Sequence, residues 1–179
     1  MERVTLTTAA PEFYNDLCEV IRLFTGECAI GEEAGGALEV RHTVEGGEHV
    51  VRAGNAEARA ALTPDTGDVL ETKRLRKRAI KSAVYQAMKR LTGRKPPWGS
   101  LTGIRPTRLL YEQRAAGASE EEACQRLESL FDVDREKVEL LRDIARVQDG
   151  MEGPGPNDLD VYVGIPFCRT RCSYCSFAA

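Results

Sequence analysis

The chain has 179 residues, 25 Lys and Arg against 28 Asp and Glu for a net charge of −3, and 42% hydrophobic residues. That length suits one ordinary domain or a small domain with an appendage, and no apolar run approaches the ~20 residues a membrane-crossing helix needs. The start, MERVTLTTAAPEFYND, has no basic residues leading into an apolar stretch, so no secretory leader is expected and the compartment expected is the cytoplasm.

Residues 3–8, RVTLTT, alternate polar and apolar as a strand does. Beyond Pro11, the spacing of Phe13, Leu17, Val20, Ile21 and Phe24 predicts an amphipathic helix that stops at Gly26. ALEVRHTV and HVVRAG flank Gly46 and Gly47, which supply the positive φ of a tight hairpin turn, and ARAALT can add a third strand. Residues 1–66 are therefore expected to form a small α/β domain.

Over 68–91, Leu75, Ala79, Ile80, Val84, Ala87, Met88 and Leu91 form one apolar stripe, and Gly93 follows as a stop. The proline- and glycine-rich RKPPWGSLTGIRP is expected as a loop. Pro106 can open a helix containing Leu109, Leu110 and Tyr111. Ser119 and Glu122 make a capping box for a helix burying Ala123, Leu127 and Leu130. Asp134 starts another helix, with Val138, Leu141, Ile144, Ala145 and Gln148 on its stripe. A helical region is thus expected over 67–150, then a Gly/Pro linker over 151–159, and over 160–179 the strand VYVGIPF running into a cysteine loop. The fold class expected is α+β.

Three of the six cysteines, Cys168, Cys172 and Cys175, fall within eight residues as CRTRCSYC. In a chain that is not exported such a cluster points to metal rather than disulfides. Thiolates two or three residues apart can fold round one centre, as in iron–sulfur and zinc sites. Three thiolates on a four-iron cluster leave one iron open to a small molecule. A Cys3His zinc site or three unrelated thiols are the competing readings, but His42 and His49 lie more than a hundred residues upstream and no second cysteine pair completes a tetrahedral site. Cys18, Cys28 and Cys124 are scattered and read as packing thiols.

The stretch YVGIPFCRTRCSYCSF resembles the signature of the radical S-adenosylmethionine (SAM) superfamily, in the branch of oxygen-independent coproporphyrinogen III oxidases. PPWGSLTGIRPTRLL, residues 96–110, is similar to a block of the HemZ-type coproporphyrinogen dehydrogenases, which tolerate a small residue where Gly164 replaces the usual histidine. The resemblance implies that Cys168, Cys172 and Cys175 hold a [4Fe-4S] cluster, that SAM chelates its open iron, and that Tyr162 and Tyr174 are cofactor-binding residues. It also implies oxidative decarboxylation of coproporphyrinogen III to protoporphyrinogen IX in haem biosynthesis, with an electron donor such as flavodoxin or ferredoxin. On this basis residues 160–179 are the start of a radical SAM (β/α) barrel, and the chain is expected to be an amino-terminal fragment, inactive alone. A haem chaperone of the same branch and an RNA-modifying radical SAM enzyme are the alternatives.

Residues 72–111 hold twelve Lys or Arg and no Asp or Glu. Such segregation suits an anionic partner, although charge runs on helices also serve simply as solvated faces. Arg105 and Arg108 lie in the HemZ-like block, and guanidinium forks suit the carboxylates of a porphyrinogen. Poor interleaving of aromatic residues argues against RNA.

Overall fold

The computed structural model describes residues 3–33, 35–149, 159, 161–164 and 167–170. The RVTLTT run forms β1 (Arg3–Thr8). A 3-10 turn, Pro11–Phe13, leads into α1 (Tyr14–Thr25), whose helical spacing buries Leu17, Val20, Ile21 and Phe24 along one side. Gly26 ends it, as the sequence indicates. Strand β2 (Ala29–Gly31) was not expected; three residues are too short to show alternation.

β3 (Leu38–Glu45) and β4 (Glu48–Ala53) form the predicted hairpin. Its two-residue turn places Gly46 at φ 58° and Gly47 at φ 81°, a geometry that strongly favours glycine. β5 (Ala56–Ala61) completes a sheet of order β2-β1-β3-β4-β5, with β1 parallel to both neighbours and the last two pairings antiparallel.

The register puts Val4, Leu6, Val40, Val51 and Ala58 on one face, where they pack with α1. On the opposite face Arg52 forks onto Glu45 at 2.6 and 2.8 Å and also reaches Glu57, while Arg59 bridges Glu57 and Glu48. Val50 is fully buried on that same polar face. Long arginine stems can shield an apolar residue while their heads stay wet.

α2 (Val69–Thr92) is capped by the Asp68 carboxylate, which accepts from the Leu70 and Glu71 amides, and Gly93 ends it in the left-handed region. Its buried residues include Ile80, Val84 and Met88 from the predicted stripe, and also Tyr85. The helix expected to open a helical region at residue 67 thus packs into the core of the sheet with α1. Each large apolar side chain buried there contributes about 1.5–3 kcal/mol.

α3 (Pro106–Ala115), α4 (Glu120–Phe131) and α5 (Arg135–Asp149) build a second core from Leu109, Leu110, Leu127, Val138 and Leu141. The Ser119–Glu122 capping box is present. Leu130, expected inside, is 49% exposed, and Gln148 is exposed at the end of α5. Cys18 and Cys124 are buried, one in each core, and Cys28 is half-buried. The chain divides into two units, Met1–Ala145 with both cores, and Arg146–Ala179.

Candidate functional site

The second unit carries the cysteine motif. Cys168 is a free, exposed thiol; Cys172, Tyr174 and Cys175 lie outside the described residues, as do residues 151–158 of the expected linker. Residues 161–164 and Phe167, expected as a strand, form none, and Val161, Tyr162, Val163 and Phe167 are between 75% and 88% exposed. The Tyr162 ring lies against Gly164: a Cβ there would sit 3.2 Å from Tyr162 Cε1. Glycine at 164 therefore gives the ring room.

Sulfur donors at this spacing suit iron–sulfur or zinc centres. Cys168 is available for such a role. Among the described residues, no group of three or more His, Cys, Asp or Glu could hold a metal ion.

The first unit holds a cleft of about 490 Å³ between α1, α2, the 100–104 loop, the start of α3 and the end of α4. Arg105 and Arg108 are brought together in an adjoining depression with Ile104 and Tyr111, and Arg108 also lines the cleft. Both arginines are exposed. Arg108 pairs with Glu112 one helical turn on, at 2.8 Å.

Gly99 holds the 96–100 loop against α4. A Cβ at Gly99 would overlap the Phe131 carbonyl oxygen and lie 2.6 Å from the Asp132 carbonyl carbon. The Ser100 amide donates to the Phe131 carbonyl and the Asp134 amide to that of Pro97. The loop thereby satisfies a carbonyl at the end of α4, which no further turn of helix can do.

Much of the basic run is spent internally. Arg76 pairs with Glu12 at 2.9 Å and Lys77 with Asp16 at 3.1 Å, tying α2 to the first helical turns. Lys89 and Lys95 pair with Asp132, and Lys95 also with Asp134 at 2.7 Å. The sign segregation of the sequence is thus partly folded back on itself.

Two features escaped the reading of the sequence. Arg78 and Lys81 line the cleft partly buried, and burial lowers the pKa of both below the ordinary range. His42 and His49 are 1% exposed and bonded to each other, Nε2 to Nδ1, at 3.1 Å, with Thr8 Oγ1 2.8 Å from His42 Nδ1. Hairpin parity carried the signal for the pair, since Val44 faces His49 and so places 42, 44 and 49 on one side of the sheet.

An α/β unit with a cation-lined cleft, joined to a segment bearing a three-cysteine motif, is the class of protein these features define. The chain is similar to the oxygen-independent coproporphyrinogen-III oxidase-like protein HemZ of Bacillus subtilis (strain 168), with 29% identity over 187 residues. The match covers 93% of this chain and 36% of HemZ, so the chain spans about a third of that relative's length. No protein-family model matches the sequence, and no solved structure matches it.

Proposed function

We propose that the chain is part of a radical SAM enzyme that oxidatively decarboxylates coproporphyrinogen III to protoporphyrinogen IX. One conjunction carries the reading: the C-x-x-x-C-x-x-C motif with its YVGIPF lead, in a chain similar over 93% of its length to a protein named coproporphyrinogen-III oxidase-like. Cys168, Cys172 and Cys175 would hold a [4Fe-4S] cluster, and Tyr162 and Tyr174 would contact SAM. When bound, the cluster and SAM supply one-electron chemistry able to remove a hydrogen atom from a propionate side chain.

The residues of this chain then bind and orient. Three thiolates, rather than the usual four, leave one iron for the small molecule. Tyr162 stands exposed with its ring against Gly164, open to a cofactor. Arg105 and Arg108 present two guanidinium groups on one depression, suited to substrate carboxylates. The exposed Arg108–Glu112 pair is weak enough to be exchanged for such a carboxylate. The electron would come from a flavodoxin or ferredoxin in the cytoplasm.

The test uses a protein of HemZ's length, reconstituted anaerobically with iron and sulfide and supplied with SAM, a reductant and coproporphyrinogen III. Decarboxylation that disappears in Cys168→Ser supports the reading, and Arg105→Ala or Arg108→Ala is expected to raise KM with little change in kcat. Haem binding with no turnover would contradict it and favour a carrier.

A further inference from the structure

Arg78 and Lys81 sit one helical turn apart on α2 and both line the cleft. Neither forms an ion pair with any described residue. Arg78 lies over the Phe131 ring, 5.2 Å from its centroid, and the Lys81 ammonium donates to Thr102 Oγ1 at 2.6 Å. The two cations before them on the helix, Arg76 and Lys77, are matched by Glu12 and Asp16. Five Lys or Arg and three carboxylates line the cleft as a whole. Glu71 and Glu112 attract Arg78 and Asp16 and Glu19 attract Lys81 only at longer range, and burial still outweighs them. A partly buried cation without a direct ion pair is costly, and an anion entering the cleft would reduce that cost.

The same cleft has apolar walls. Leu101, Ile104, Leu130 and Phe131 line it, with Ile104 41% and Leu130 49% exposed. A bare phosphate or a nucleic-acid backbone would use the cations and leave those side chains in water. A ligand with an apolar body and carboxylates at its edge would use both.

We infer that this cleft is a binding site for an organic polycarboxylate with an apolar body, held by Arg78 and Lys81 from inside and by Arg74 and Arg108 at the mouth. The cleft is lined wholly by residues of the first unit, and apart from the shared Arg108 the inference does not rest on the coproporphyrinogen reading, although a tetrapyrrole with propionate arms is one ligand of this chemistry.

Fluorescence titration of the 179-residue protein with coproporphyrin III, its tetramethyl ester, inorganic phosphate and a single-stranded RNA tests the site. The porphyrin acid is expected to bind with a Kd of order micromolar, and the ester about tenfold more weakly. Arg78→Met and Lys81→Met, checked for folding by circular dichroism, are expected to cost about tenfold each. Arg108→Gln, on an exposed side chain, should cost about threefold.

Equal binding of acid and ester would overturn the inference. So would displacement of the porphyrin by phosphate or RNA at equal concentration, or affinity unchanged in the folded variants. Binding here without turnover in the longer enzyme would leave the cleft standing and remove only the proposed reaction; turnover without this binding would do the reverse.

Discussion

The Tyr85 hydroxyl, on a helix packed in the core of the sheet, donates a 2.8 Å hydrogen bond to Asp132, the residue that ends α4 in the left-handed conformation at φ 58°. Asp132 also receives Lys89 at 2.5 Å. Burial would raise its pKa, but the bonds from Lys89 and Tyr85 outweigh that and hold it below the ordinary value. This junction ties α2 to the end of α4. Tyr85→Phe is expected to lower stability by about 1.5–3 kcal/mol, the usual range for a bond to a charged group. Urea denaturation reads the change; an unshifted midpoint would show that the bond contributes nothing.

Gly99→Ala should be far more damaging. The added methyl has no room against the Phe131 carbonyl, and the backbone there is at φ 56°. The 96–100 loop would have to lift from α4, freeing the Ser100 and Asp134 amides. The expected result is accelerated hydrogen exchange at those two amides and a drop in melting temperature. Native-like protection at both would contradict the packing described.

Acid sensitivity is expected from the histidine pair. Burial first, then the neighbouring His49 and Arg76, lowers the pKa of His42 to about 4 despite the opposing charge of Glu12, and burial lowers that of His49. The unfolded chain takes up protons near pH 6.5 while the folded chain does not, so folding stability is full above that pH. It falls as pH drops from about 6.5 towards 4, by roughly 3 kcal/mol for His42. Denaturation midpoints at pH 7 and pH 5 should differ in the native protein and converge in His42→Leu/His49→Leu. A slope unchanged in the double variant would place the acid sensitivity elsewhere.

Local chemistry was legible wherever the chain dictates its own backbone. Gly46 and Gly47 announced the hairpin, Gly93 the end of α2, and Ser119 with Glu122 the start of α4, because each acts on neighbours within a few residues. Strand β2 gave no such signal; its pairing with β1 is a tertiary event.

The cysteine spacing was equally legible, since it is itself a local pattern. The cleft was not. Arg76, Lys77, Arg78 and Lys81 look alike in sequence, and only the placement of α1 and the 100–104 loop separates those with carboxylate partners from those without. The run at 161–167 shows the limit from the other side: its β-rich composition is no guarantee of a strand, and residues 161–164 and Phe167 form none.

Iron and sulfide analysis after anaerobic reconstitution tests the central claim most directly. Wild-type protein is expected to take up about four irons and four sulfides per chain, with the electron paramagnetic resonance of a reduced [4Fe-4S] cluster that shifts when SAM is added. Serine at Cys168, Cys172 or Cys175 should abolish uptake, and serine at Cys18, Cys28 or Cys124 should leave it intact. Stoichiometric zinc in place of iron, or a cluster that survives loss of any of the three motif cysteines, would contradict it.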